Sequence, residues 1–381
     1  MNTVTLLQPP RLVFGAGCAA DCVELFGQRG IRRVLLVSSS PVLPQIGFLI
    51  RALERAGCEV IPSRPVDHEP TVAMFEPMLA DAKAAGIEAV LGVGGGSPLD
   101  VAKLVAALVR GQQAVSEVFG INLLRGRELF LVCLPTTAGT GSEVSPNAIL
   151  LDEADQLKKG VISPHLVPDA AFIDPALTLS VPAPVTAATG LDALTHCIEA
   201  YANKFAHPLT DLYALRGIRL IAENLHRAVQ NGADAEARAS LALGSLYGGL
   251  CLGPVNTAAV HALAYPLGSR FKIAHGVSNA VLLPNVLRFN FSAAPERYAE
   301  VAMALGVERN QSALGTAEHG VERIAELSRA CGVPQRLSDF QIPREAIPAM
   351  ARAAMQITRL LKNNLRPVTE ADAVSIYEAT Y

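Results

Sequence analysis

No excess of positive charge runs through this chain: its 381 residues carry 32 Lys and Arg against 35 Asp and Glu, a net charge of -3. That balance excludes the basic field a polyanion needs, so nucleic acid is not an expected partner. Paired cysteines are missing too. The seven cysteines are odd in number, scattered, and form no C-x-x-C unit, which excludes a disulfide-stapled scaffold and implies a reduced, cytoplasmic setting. The opening Met1-Asn2-Thr3-Val4-Thr5 lacks the basic and apolar regions of a secretory leader. Charge of either sign is scarce, 18% of residues against 50% hydrophobic, which excludes intrinsic disorder and predicts large buried elements. No Asp, Glu, Lys or Arg occurs in the 31 residues between Arg238 and Arg270, a length that would span a bilayer. Gly244, Gly248, Gly249, Gly253, Pro254 and Gly268 interrupt this run, so it reads as buried helices of a globular core.

What is present is organised in two halves, as the length suggests. Apolar runs at Val34-Leu35-Leu36-Val37, Val60-Ile61, Glu88 to Val93 and Leu129 to Leu134 alternate with helical stretches, one ending near Gly57 and one from about Thr71 to Ala85. This is the texture of a parallel α/β sheet. After Pro175, Pro182 and Pro184 the texture becomes Ala- and Leu-rich helix almost to Tyr381. The expected domains are residues 1–180, α/β, and 181–381, all-helical.

Directly after a predicted buried strand comes Gly94-Gly95-Gly96-Ser97-Pro98-Leu99-Asp100. Its glycines permit positive φ and close backbone approach, Ser97 suits an N-cap, Pro98 the first helical position, and Asp100 lies three residues past the cap. A helix start of this kind binds phosphate, although an ordinary tight turn has the same composition. A second polar loop, Pro135 to Val144, follows the next strand and could extend contact to phosphate and ribose.

In the helical half, Asp192 and His196 lie four apart on one helix face. His261 falls inside the uncharged run, and His275 sits in Ile273-Ala274-His275-Gly276, where an unpaired buried imidazole is costly. Together these four supply one oxygen and three nitrogens, a set that suits Fe(II) or Zn(II). His68, His165, His207, His226 and His319 keep an ordinary structural reading.

These loops and ligands, in this order, make the sequence resemble the iron-dependent (group III) alcohol dehydrogenase family. The match takes in Pro10-Arg11-Leu12-Val13-Phe14-Gly15-Ala16-Gly17, the loops Gly94 to Asp100 and Thr136 to Glu143, Ala188 to His196, His261 to Gly268, and Ala274-His275-Gly276. The resemblance implies a Rossmann-like dinucleotide-binding α/β domain followed by an all-α domain, the dehydroquinate synthase-like architecture, with NAD(P) and a divalent metal in the cleft. It implies Asp192, His196, His261 and His275 as metal ligands. It also implies that Gly95, Gly96, Ser97, Asp100, Thr136, Thr137, Ser142, Asn147 and Lys158 line the cofactor. The implied reaction is hydride transfer between nicotinamide and a small alcohol or aldehyde. Maleylacetate reductase-like or hydroxyacid-oxoacid transhydrogenase chemistry is the alternative on this fold, and a non-catalytic dinucleotide sensor the remote one.

Two departures from the family pattern carry expectations. Ser39 stands where many members place an acid that repels a 2′-phosphate, which leans the cofactor toward NADP. Tyr265 replaces a second histidine and either relays a proton or shapes the pocket, a phenol being a poorer neutral-pH shuttle than an imidazole. A homo-oligomer, dimer or larger, is expected from the long apolar helices, with neither membrane nor nucleic acid as partner.

Overall fold

The computed structural model describes residues 3–155 and 157–381; Met1 and Asn2, part of the start read above for a leader, lie outside the described residues, as does Gln156. The chain divides into two compact units. One is Leu7–Thr137 with Gly141–Leu179, and the other is Ser180–Tyr381 with the N-terminal stretch to Leu6 and Ala138–Thr140.

In the first unit the strands are β1 (Arg11–Phe14), β2 (Arg33–Val37), β3 (Glu59–Pro62), β4 (Ala89–Gly94), β5 (Gly120–Ile121), β6 (Phe130–Pro135), β7 (Asn147–Asp152), β8 (Leu157–Ile162) and β9 (Ala170–Ile173). Helices α1 (Cys22–Gln28), α2 (Gly47–Arg55), α3 (Val72–Ala84) and α4 (Gly96–Leu108) lie between them. Six strands form one sheet in the order β1-β9-β6-β4-β2-β3, every pair parallel. Alternate residues feed two cores. Leu35, Val37, Val90 and Leu131 pack with Phe75 and Leu99, while Val34, Leu36, Leu91 and Val132 pack with Phe26 and Leu49. This two-sided burial is why the strands read as continuous apolar runs.

The strand order reverses between β2 and β4. Their carboxyl ends are therefore the switch point at which open α/β sheets bind ligands. The Ser38 hydroxyl ties the two ends, donating to the Val93 carbonyl at 2.7 Å. A smaller sheet, β5-β8-β7, carries an antiparallel β7-β8 hairpin.

The second unit is helical: α5 (Ala183–Tyr201), α6 (Pro208–Gln230), α7 (Ala235–Leu252), α8 (Ala259–Phe271), α9 (His275–Asn290), α10 (Pro295–Ala304), α11 (Ala313–Ala330), α12 (Ile347–Met355), α13 (Thr358–Leu361) and α14 (Glu370–Thr380). Local signals set several starts. Pro208 opens α6 behind a His207 ring that accepts from the Leu209 amide, and Asp234 caps α7 by accepting from the Ala237 amide. Leu194, Ile198, Ile221, Leu225, Leu263, Leu267 and Leu283 are among the buried residues of the core. The uncharged run forms α7 and α8, and among the described residues no helix is long and apolar enough to cross a membrane. All seven cysteines are free and buried.

Candidate active site

The glycine loop lies where β4 passes into α4, but its start differs from the expected one. The helix begins at Gly96, with Gly95 in the cap position in extended backbone and without a side-chain cap; Ser97 and Pro98 already lie inside the first turn. Proline is tolerated there because first-turn amides have no intrahelical partner. None of Gly94, Gly95 and Gly96 takes positive φ. Glycine is required instead by close approach: a Cβ at Gly94 would lie 2.7 Å from Pro98 Cγ. The second loop is tied directly alongside, its Thr136 amide donating to the Gly94 carbonyl at 2.9 Å.

Beneath both loops lies a buried polar knot. Lys103, fully buried, donates to the Ser142 carbonyl at 2.9 Å, to Ser142 Oγ at 3.0 Å, and to the Asn147 carbonyl. Asp100, expected three residues past the cap, accepts from Ser142 Oγ at 2.5 Å and from the Ile149 amide at 2.9 Å. Burial pushes the Asp100 carboxyl up and the Lys103 ammonium down, while burial pushes Glu143 up to about 7. The knot thus fixes the second loop and β7 against α4. Lys158 pairs with Glu69 at 2.5 Å, and the Asn147 amide oxygen is buried without a hydrogen-bond partner. Half-buried residues at a helix start, whose first amides have no intrahelical partner, hydroxyls in the neighbouring loop and an orphaned amide oxygen form a donor and acceptor set that fits a dinucleotide. Ser39 is half-buried at the end of β2, and next to it Ser40 donates through its amide and hydroxyl to Asp67, at 2.6 and 2.7 Å.

In the helical unit, α5, α8 and α9 bring the predicted ligands together. Asp192 Oδ1 lies 3.8 Å from His196 Nε2, 3.5 Å from His261 Nε2 and 3.7 Å from His275 Nε2. Asp192, His261 and His275 offer ligand atoms within 4.8 Å of one another. His196 stacks on His261 with ring centroids 4.8 Å apart, and its Nδ1 is buried without a hydrogen-bond partner. Ligand bonds of about 2.0–2.2 Å to a tetrahedral cation place neighbouring donor atoms roughly 3.3–3.6 Å apart, close to the separations seen here. The donor set and spacing therefore fit a divalent first-row cation. Asp192 and His261 are almost fully buried, whereas the His275 side chain is 33% exposed, so the cluster opens on the His275 side.

Two residues that complete this cluster went unnoticed in the sequence. Glu199, one turn beyond His196 on α5, places Oε2 2.5 Å from His261 Nδ1 and accepts from the Val260 amide through Oε1 at 2.6 Å. With Nδ1 donating to that carboxylate, departure of the second ring proton leaves the His261 lone pair on Nε2, facing Asp192. Burial alone lowers the His261 pKa, but Glu199 first and then Asp192 more than offset this and push it up to about 9. Burial likewise opposes ionisation of Asp192, and the surrounding imidazoles, led by His196, hold it below the usual carboxylate range. Asn279, one turn after His275 on α9, donates from Nδ2 to Asp192 Oδ1 at 2.7 Å, with His261 Nε2 at 3.1 Å and His275 Nε2 at 3.3 Å. Three acceptors converging on one small volume is the arrangement a cation satisfies. Spacings of three and four residues from recognised ligands were the available signal for both residues.

Tyr265 lies one turn after His261, its ring 6.1 Å from that of His275. Its hydroxyl accepts from Arg359 Nη2 at 2.7 Å.

A family model described as iron-containing alcohol dehydrogenase matches residues 9–175, and one described as Fe-containing alcohol dehydrogenase family, C-terminal, matches residues 186–381. The chain is 39% identical over 390 residues to long-chain-alcohol dehydrogenase 1 of Geobacillus thermodenitrificans, covering 100% of this chain and 98% of that relative. It is 36% identical over 370 residues to 1,3-propanediol dehydrogenase of Citrobacter freundii, covering 95% of each. Its fold superposes on the crystal structure of a 1,3-propanediol oxidoreductase with a TM-score of 0.96 at 34% identity, covering 100% of both chains.

Proposed function

Because this chain belongs to the iron-containing alcohol dehydrogenase family, we propose that Asp192, His196, His261 and His275 hold the divalent cation of an NAD(P)-linked oxidoreductase acting on small alcohols and aldehydes. The observation that carries this reading is the approach of three Nε2 atoms to one Asp192 oxygen, at 3.5–3.8 Å. A cation bound there lowers the pKa of an alcohol and polarises a carbonyl, and NAD(P) accepts or returns the hydride. Glu199 fixes the His261 tautomer and Asn279 holds the Asp192 carboxylate, so the chain supplies a ligand set already oriented. In the first unit, the amides of Gly95, Gly96 and Ser97 take the phosphates. Thr136, Thr137, Asn147 and Lys158 extend that contact, while Asp100 and Ser142 brace the loops from below.

For the nucleotide, uncharged Ser38-Ser39-Ser40 leaves room for a 2′-phosphate, the ground for the NADP lean. Asp67 changes the balance. Its carboxylate lies on Ser40 at the end of β2, where a negative charge favours the free ribose diol, so we read NAD as the preferred form.

The test is elemental analysis and an alcohol-dependent NAD(P)H assay, run with both dinucleotides, on wild-type protein and His275→Ala. The variant is expected to lose bound metal and nearly all turnover while keeping its helical circular dichroism. Full activity in demetallated protein contradicts the reading.

A further inference from the structure

The turn that joins α6 to α7 holds the chain's one Asn-Gly pair, Asn231-Gly232. The Asp234 amide donates to the Asn231 carbonyl at 3.0 Å and closes the turn. Asn231 is exposed, and its Oδ1 accepts from the Ala233 amide at 3.1 Å. This arrangement curls the carboxamide back over the following peptide, bringing Cγ toward the Gly232 nitrogen, and the bond to Oδ1 draws electron density from Cγ. Glycine at 232 leaves that nitrogen unscreened by a Cβ. Among the described residues the Gly232 amide makes no hydrogen bond that would hold it back.

Gly232 also supports a buried charge. Its carbonyl accepts from Arg238 Nε at 3.0 Å. Arg238, only 3% exposed, donates further from Nη1 to Thr186 Oγ1 at 2.7 Å and from Nη2 to the Val181 carbonyl at 2.9 Å. Among the described residues no ion pair involves Arg238, so this guanidinium rests on neutral acceptors, and a bond to such a charge is costly to lose. Arg238 thereby ties the α6-α7 turn to the start of α5, the helix that carries Asp192 and His196.

We propose that Asn231 is a site of spontaneous modification, deamidation through a cyclic imide, and that the isoaspartyl product loosens the Arg238 tie. Hydroxide takes the Gly232 amide proton, and the nitrogen electron pair forms a bond to Asn231 Cγ. The bond from Cγ to Nδ2 breaks, and its electron pair leaves in ammonia, which water protonates. Water then opens the imide. Cleavage between Cγ and the ring nitrogen yields aspartate, whereas cleavage at the main-chain carbonyl yields isoaspartate, whose backbone runs through Cβ and Cγ and is one carbon longer. Nothing is oxidised or reduced: one water is consumed and one ammonia released. The added carbon lies between α6 and Gly232, so it shifts the Gly232 carbonyl away from Arg238.

The test ages the full-length protein in warm, mildly alkaline buffer, followed by peptide mapping by mass spectrometry, enzymatic methyl labelling of isoaspartate and an ammonia assay. Asn310, also exposed but followed by Gln311, is the internal comparison. Asn231 is expected to convert well before Asn310, at a rate that rises with hydroxide concentration, with one ammonia released per converted chain. Gly232→Ala should slow the conversion several-fold, and Asn231→Gln, whose longer side chain closes the ring far less readily, should release no ammonia from this turn. The aged wild type is expected to melt a few degrees below fresh protein. Aged Asn231→Gln should keep its melting temperature, and Asn231→Asp, which gains the charge without the extra carbon, should melt above the aged wild type. An Asn231 that stays intact while Asn310 converts overturns the site, as does an unchanged rate in Gly232→Ala. Isoaspartyl protein that melts with fresh protein overturns the link to Arg238.

Discussion

Replacing Glu199 by glutamine tests how the helical unit prepares its cation site, because the substitution keeps the shape and removes the charge. Both carboxylate oxygens are committed in the native protein, Oε2 to His261 Nδ1 at 2.5 Å and Oε1 to the Val260 amide at 2.6 Å. Glutamine can reproduce one of these bonds. If its carbonyl keeps Val260, its amide NH2 faces Nδ1 and moves the ring proton to Nε2, where it blocks the lone pair that faces Asp192. If its carbonyl keeps His261, two buried donors oppose each other at Val260, at a cost of about 1–3 kcal/mol. Removing such a partner typically weakens metal affinity by about 10–100-fold. Losing the charge also eases departure of the His261 proton, whose pKa of about 9 depends on Glu199, so the expected loss lies at the lower end, about tenfold or about 1.4 kcal/mol. Zinc titration against a chelating dye of known affinity measures it, with a thermal melt of metal-free protein as the control for folding. An affinity within about twofold of wild type would falsify the tautomer argument.

Two further perturbations bear on parts of the structure away from that bond. A methyl group at Gly276 would lie 2.1 Å from the Ala188 carbonyl oxygen and 3.2 Å from Asp192 Cβ. Gly276→Ala must therefore push α9 off α5, carrying His275 and Asn279 away from Asp192. The expected outcome is a destabilisation of about 1–3 kcal/mol or more together with lost metal, and a variant that melts normally and keeps full metal content refutes it. Glu143 carries a pKa of about 7 when folded because burial favours its neutral form. Its folded value lies above the unfolded one, so its contribution is present in full below about pH 4.5 and is lost as pH rises through 7. The wild type should lose roughly 2 kcal/mol relative to Glu143→Gln between about pH 5 and 7.5. Urea denaturation at both pH values measures this, and parallel pH profiles for the two proteins would sink it.

What could be read before folding was local in the chain. The predicted strands at residues 34–37, 88–93 and 129–134 are buried on both faces, and such strands leave an uninterrupted apolar run. Asp192 and His196 were legible because one helical turn joins them. The β7-β8 hairpin was not anticipated: Lys158 and Lys159 break the apolar character of its second strand, and antiparallel pairing with Leu151 and Leu150 supplies the order. The helix start after Gly94 was misplaced by two residues, since Ser97 is a good cap by type. The contact between Gly94 and Pro98 that sets the real turn depends on the backbone path. The same limit governs the site. His261 and Glu199 are 62 residues apart, Asn279 and Asp192 87, and Arg359 and Tyr265 94; no periodicity links partners at such separations. Ligands recur at helical spacings because each must present an atom to one point. The residues that orient them need only lie behind that point, on any element, so this outer layer became visible only once α5, α8 and α9 were packed.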